Sequence, residues 1–342
     1  MHRDGARMTG GWRSGDRAPR WVLAVLVVAG LALIALPVAF GMFSRAPKGA
    51  TMLADFKPFM TTARLDGFRR DIREVNDGVR ESNTKVAALL TKTAPAGSHS
   101  DFARRFPEFA DFEPQWPPIN AHMTSLIVRI QSNLPNYQAM AALPSFTLFP
   151  WFFAIPGVLL LVLAGLALSS LPWRRRIRVF VAVLGIGLVL APVAVQMFSR
   201  APAGAKMMSA FRTIETRHEV ETIQGYFGTI GLVQGAIRLQ LAPALKRAGL
   251  TSAETARRFP ALTDLDRSWV GILSDMTPMI GAMSDNVDNY QALTALPSFR
   301  VFPWIFVAIG LLVAVTAVAA GPRRRRKADA TDRLSPQPRG AT

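Results

Sequence analysis

The chain has no cysteine among its 342 residues. Disulfides, thiolate metal sites and cysteine nucleophiles are therefore excluded, and the polar segments must be held together by packing alone. Histidine is scarce as well, and its four occurrences fit no metal-ligand spacing. Phosphate-binding loops, dinucleotide-binding glycine patterns, zinc-protease motifs and nucleophile elbows are also missing. We therefore predict no catalytic residue, no cofactor and no metal, and we expect that the protein is not an enzyme.

Charged and histidine side chains are absent from four long apolar stretches of the chain. Each stretch has about 20 residues, the length that crosses the hydrocarbon core of a bilayer. They predict transmembrane helices at residues 21–42, 147–171, 179–198 and 301–321. Ion- and proton-coupled transport needs ionisable groups along its pathway, so their absence from the spans argues against a pump.

What the chain does have is an internal repeat. Self-similarity at a nearly constant offset indicates a tandem duplication. The offset is 155 residues for the first repeated motif and 153 for the later ones. The repeated motifs are MFSRAP at 42–47 and 197–202, RRFP at 104–107 and 257–260, NYQA at 136–139 and 289–292, and LPSF at 143–146 and 296–299.

The repeat and the spans together predict the fold class. Apolar residues recur at three- and four-residue spacing in the polar segments 43–146 and 199–300, which is typical of amphipathic helices. We predict an all-α integral membrane protein with two tandem repeats of span, external helical hairpin and span. The first helix of each hairpin is expected to be about 40 residues long, and the two hairpins are expected to share a core. Since each copy has two spans, we expect pseudo-two-fold symmetry about the membrane normal.

Basic residues cluster at the membrane ends and predict the orientation. Three segments are rich in arginine and belong in the cytoplasm by the positive-inside rule: residues 1–20, the hinge 172–178 and the tail 322–342. We expect the tail to be disordered. The net charge of +17 is thus a topology signal, and we predict no nucleic-acid partner. Arginine far outnumbers lysine and alanine is abundant, which indicates a bacterial inner membrane for this multi-pass protein.

Matched polar residues at the membrane ends of the external segments form the first candidate site, which we call the collar. An arginine there can hold a lipid phosphate, and neighbouring amides can complete a site for anionic head groups or for a partner. In the alternative, the arginines anchor the span ends, the amides cap helices and the tyrosines fill the apolar stripe. The collar consists of Arg45, Arg200, Asn136, Tyr137, Gln138, Asn289, Tyr290 and Gln291.

Aromatic and arginine residues around the RRFP motifs form the second candidate site, the distal cluster. It either covers a small core or exposes a docking surface for a protein partner. In the second copy, Thr251 and Glu254 predict a capping box that opens a short helix before Pro260. The distal cluster consists of Phe102, Arg104, Arg105, Phe106, Trp116, Arg257, Arg258 and Trp269.

These features favour a scaffold or accessory role. We expect the duplicated external segments to form a helical stalk that binds an envelope partner or membrane lipid. The alternative is a pore between the repeats or an accessory subunit of a transporter. A membrane enzyme acting on lipid ranks last, because paired catalytic groups are missing.

The predicted orientation can be tested by cysteine labelling, since the wild-type chain offers no background thiol. Single cysteine variants at Ser98 and Ser252 should react with a membrane-impermeant thiol reagent on intact cells, and variants at Ser14 and Ser335 should react only after lysis. Labelling of the Ser14 variant on intact cells would overturn the orientation.

Overall fold

A computed structural model describes residues 18–93, 99–168 and 175–320. Within those ranges the protein is all-helical, and four of its helices are long and apolar enough to cross a membrane. This confirms the predicted helical class and the four candidate spans. Four parts of the chain lie outside the described residues: the basic residues 1–17, part of the predicted turn after Thr93, residues 172–174 of the hinge and the tail 322–342.

Fifteen α-helices occur in the described ranges. The first eight are α1 (Arg20–Ala39), α2 (Met42–Phe56), α3 (Thr62–Glu81), α4 (Ala87–Lys92), α5 (His99–Arg105), α6 (Pro107–Phe112), α7 (Trp116–Ala141) and α8 (Phe149–Leu168). The others are α9 (Arg175–Ala194), α10 (Met197–Phe211), α11 (Arg217–Ala236), α12 (Ala242–Arg247), α13 (Ser252–Arg258), α14 (Pro260–Thr294) and α15 (Phe302–Ala319). A π-helical turn joins α3 to α4 at Ser82–Val86, and another joins α11 to α12 at Ile237–Leu241.

Two of the spans end earlier than their hydropathy predicts. Helix α1 stops at Ala39 and α9 stops at Ala194, although apolar residues continue beyond both. The cause is a left-handed residue in each connection, Gly41 with φ 59° and Gln196 with φ 55°. Glycine adopts this conformation readily, whereas glutamine adopts it at a cost of about 1 kcal/mol. Each break separates a span from the helix that follows it.

One compact unit contains most of each of the four candidate spans. It consists of the described residues before Pro37, between Phe152 and Val193, and after Trp304. Within it α1 meets α8, where a Cβ added to Gly30 would lie 2.9 Å from the carbonyl oxygen of Gly157. Helix α9 meets α15 in the same way, with 2.8 Å from a Cβ on Gly185 to the carbonyl oxygen of Gly310. Glycine at these positions lets the backbones approach closely.

Residues 37–152 and 193–304 form the second compact unit. The two polar segments, which we call the external segments after their predicted location, therefore belong to one body. Helix α2 packs against α14, and α10 packs against α7. The first helix of each segment therefore contacts the return helix of the other segment. At one of these contacts a Cβ on Gly49 would lie 2.8 Å from Leu293. Helix α3 packs against both α7 and α14, which extends the shared core.

The expected first helix of about 40 residues is wrong. Each segment begins with a 15-residue helix, α2 or α10, and the chain then turns before α3 or α11. The interruption has a local cause: Thr61 and Thr216 have extended backbones, and their hydroxyls accept hydrogen bonds from the amides of Arg64 and Glu219. Both threonines are N-caps, which define a new helix start. The predicted capping box of Thr251 and Glu254 is confirmed.

Candidate functional site

The two collar arginines lie against helix ends. Arg45 donates hydrogen bonds from Nη1 to the carbonyl oxygen of Phe40 at 2.9 Å and to that of Ala295 at 3.3 Å. Arg200 donates from Nη1 to the carbonyl oxygen of Ala142 at 2.6 Å. Ala142 directly follows α7 and Ala295 directly follows α14, where carbonyl groups lack partners within the helix. Each arginine therefore caps the return helix of the other segment, where a cation is also favoured by the helix dipole.

The collar tyrosines cap a second pair of helix ends. Tyr137 donates its hydroxyl to the carbonyl oxygen of Leu53 at 2.6 Å, and Tyr290 donates to that of Met208 at 2.5 Å. Leu53 and Met208 belong to the last turns of α2 and α10. Burial raises the pKa of Tyr137 to about 12 and also raises that of Tyr290. Both phenols therefore stay neutral donors at physiological pH.

The collar amides divide into two kinds. Asn136 donates to Oδ1 of Asn133 at 3.0 Å, and Asn289 donates to Oδ1 of Asn286 at 2.9 Å. Asn286 is fully buried and donates to Asp55 at 3.0 Å. Gln138 and Gln291 are exposed. The asparagines thus bond within their own helices and, contrary to the structural alternative, do not cap helix ends. Lipid binding at the collar stays a prediction.

The distal cluster separates into a buried part and an exposed part. The aromatic side chains are buried, and Trp116 donates from Nε1 to Asn76 at 3.1 Å. Only the arginines of the cluster are exposed to solvent, so its aromatic residues form a covered core. The buried members are Phe102, Phe106, Trp116 and Trp269, and the exposed ones are Arg104, Arg105, Arg257 and Arg258.

Sequence reasoning missed a buried carboxyl group in the core of the second unit. Glu215 is 2% exposed, and neither of its side-chain oxygens has a hydrogen-bond partner among the described residues. Its surroundings are apolar and include Phe56, Met60 and Phe211. This burial raises the pKa of Glu215 to about 8, so the carboxyl is mostly protonated at neutral pH. The predicted repeat offers a signal, because its alignment places a methionine, Met60, opposite Glu215.

Sequence reasoning also missed two surfaces on the first long helices of the external segments. The first surface is a groove of about 590 Å³ between α3 and α14. The second is a face of α11 and the following π-helical turn that no other part of the described chain covers. On this face Leu232 is 71% exposed and Leu239 is 80% exposed, and a Cβ added to Gly225, Gly228 or Gly235 would meet nothing within 4 Å. The signal in the sequence is a difference in residue type at positions that the predicted repeat aligns.

Known proteins supply no guide to these sites. Searches against protein families, curated proteins and solved structures return no match for this chain. Within the described residues, no group of three or more His, Asp or Glu side chains is placed to hold a metal ion. The functional argument therefore depends on the geometry of the external segments.

Glu215 makes the stability of the protein depend on pH. The pKa of Glu215 is about 8 in the folded state, and its ordinary value is 4.5. The protonated carboxyl group therefore makes its full contribution to the stability of the fold below pH 4.5, and this contribution is lost as pH rises to about 8. Between pH 5 and 8.5 the free energy of unfolding of the wild type should fall by on the order of 4 kcal/mol. The Glu215→Gln variant should not show this fall, because its side chain does not ionise. Thermal unfolding in detergent across this range measures the difference. The exposed Glu221→Gln is the control and should follow the wild type; an equally steep decline in Glu215→Gln would contradict the assignment.

Proposed function

We propose that the protein is a non-enzymatic docking protein of the bacterial inner membrane. Four spans anchor it, both termini lie in the cytoplasm, and the two external segments form one helical body outside the membrane. This body binds a protein partner of the cell envelope.

The proposal includes a duplicated architecture with a pseudo-two-fold axis along the membrane normal. Equal helix lengths support it, since α2 and α10 have 15 residues each and α3 and α11 have 20 each. Contacts between matching residues support it further, because a residue that touches its own equivalent lies beside the axis. The rings of Phe153 and Phe306 are 4.3 Å apart, and those of Phe149 and Phe302 are 5.2 Å apart.

The uncovered face of α11 and its π-helical turn carries the functional proposal. The residues of this face recur at alternating intervals of three and four, which is the pattern of a seam between packed helices. They are Gly225, Gly228, Leu232, Gly235 and Leu239. Each glycine in an exposed helix is less favourable than alanine by about 1 kcal/mol. None of these glycines gains a contact within the described chain in return. Their small size does allow a second helix to approach closely.

The repeat shows that the fold does not require this face. At the matching positions of the first copy, 155 residues earlier, Gly225, Gly228, Leu232 and Gly235 are replaced by charged residues. Those residues are Arg70, Arg73, Asp77 and Arg80. The same helix in the same fold therefore accepts charges, and the apolar version has another use.

The shape of the face favours a different protein over a second copy as its occupant. In a pairing of two α11 helices around a two-fold axis, glycines would face glycines and leucines would face leucines. Such layers alternate voids and crowding, whereas well-packed interfaces set large residues against small ones. We therefore propose a partner helix that carries large apolar residues opposite the glycines.

Site-specific photo-crosslinking in native membranes tests this docking. A photoreactive residue at Leu232 should give a crosslinked product with one distinct protein, and the same residue at the matching Asp77 should not. Gly228→Arg and Gly235→Arg, which introduce the residues of the first copy, should abolish the product at Leu232 without lowering the melting temperature. A crosslinked product of twice the chain mass would show that the occupant of this face is a second copy of the chain and not a different protein. The absence of any product at Leu232 would overturn the proposal.

Anionic lipid at the collar is a second candidate, supported by the N–H donors of Arg45 and Arg200 that the helix caps leave unused. In each guanidinium only Nη1 is used within the described residues, which leaves further N–H donors for a phosphate group. Both arginines are also only half-buried.

Native mass spectrometry tests the lipid candidate. Two double variants should retain less anionic lipid than the wild type: Arg45→Gln/Arg200→Gln and Arg45→Lys/Arg200→Lys. Glutamine removes the charge, and lysine keeps the charge but lacks the planar guanidinium group that binds phosphate with paired hydrogen bonds. Equal lipid on all three proteins would exclude a specific phosphate site. Loss of lipid in the Gln variant alone would indicate charge attraction without such a site.

A further inference from the structure

The groove between α3 and α14 is an open surface groove lined mainly by charged side chains. Its volume of about 590 Å³ lies within the range of ligand pockets, which is roughly 300 to 1,000 Å³. Charged and hydroxyl side chains from both helices line it. The polar lining residues are Arg70, Arg73, Glu74, Asp77, Asp264, Arg267 and Ser268.

The three arginines of the groove are available for a ligand. Arg70, Arg73 and Arg267 are exposed and make no hydrogen bond or ion pair within the described ranges of the chain. Two of the acids are engaged already. Glu74 accepts a hydrogen bond from the hydroxyl of Ser268, and Asp77 forms an ion pair of 3.1 Å with Arg80.

The arginines are not needed to build the fold. The matching positions of the repeat are Gly225 and Gly228 on α11 and Pro114 just before α7. None of these residues carries a charge, and both segments still form the same series of helices. Three unpaired arginines that converge on one groove from two helices therefore indicate a binding role.

We propose that this groove binds a phosphate ester that also carries an ammonium group, the chemistry of phosphoethanolamine. Planar guanidinium groups match a phosphate with paired hydrogen bonds. The carboxylates of the groove accept hydrogen bonds from an ammonium group. Because three arginines face three acids, a ligand with separated positive and negative groups fits better than a simple anion. The ligand source is either a free compound or a lipid head group.

Calorimetry on the full-length protein in detergent tests the chemistry. O-phosphoethanolamine should bind, and inorganic phosphate and ethanolamine should each bind at least tenfold more weakly. The double variant Arg73→Gln/Arg267→Gln should lower the affinity for O-phosphoethanolamine at least tenfold. Arg69→Gln is the matched control, because Arg69 lies on the same helix but does not line the groove, and it should bind as the wild type does.

Two outcomes overturn the proposal. One is equal binding by the wild type and the double variant, with unchanged melting temperatures confirming that both are folded. The other is binding of inorganic phosphate as tight as that of O-phosphoethanolamine, which would leave a simple anion site.

The same titration in nanodiscs identifies the source. If the lipid head group is the ligand, phosphatidylethanolamine in the nanodisc should compete and weaken the binding of O-phosphoethanolamine. If the ligand is a free compound, affinity should be equal in nanodiscs with and without that lipid. The docking face on α11 is separate from this groove, so failure of either test leaves the other intact.

Discussion

The exchange of helices between the two external segments is the constraint on which the second unit depends. Helix α2 lies on α14 and α10 lies on α7, so neither long return helix is covered by its own segment alone. Their C-terminal carbonyl groups need donors from outside the helix. Arg45 and Arg200 supply those donors across the exchange. The contacts between the two segments thus bury apolar side chains and also provide hydrogen-bond donors for the helix-end carbonyl groups. As a result, the two segments form one core.

The proposed duplication explains a shared scaffold with two different outer faces. Gly78 lets α3 approach α14, since a Cβ there would lie 3.2 Å from the carbonyl oxygen of Ala261. The matching residue of α11 is Val233, whose branched side chain enters the core instead. One face then closes into a charged groove, while the equivalent face remains open and apolar. The two proposed copies thereby differ in the surface that they expose.

Hydropathy and periodicity predicted the spans, the helical class and the buried stripes, because burial of apolar surface decides those features. The capping box of Thr251 and Glu254 was also readable, since it depends only on neighbouring residues. Periodicity indicates that a face is buried but not which helix covers it, so the helix exchange was not predictable. Gln196 has no sequence signal for its left-handed backbone. The groove joins residues that are far apart in sequence, and Glu215 becomes unusual only once its apolar neighbours are known.

The helix exchange also bears on how the protein is made. Arg45 and its partner Ala295 are 250 residues apart in the chain. At a synthesis rate of about 5 to 20 residues per second, roughly 10 to 50 seconds separate the two. During that interval the face of α2 around Gly49 has no helix to cover it. The core of the second unit is therefore complete only after the second half of the chain has been made.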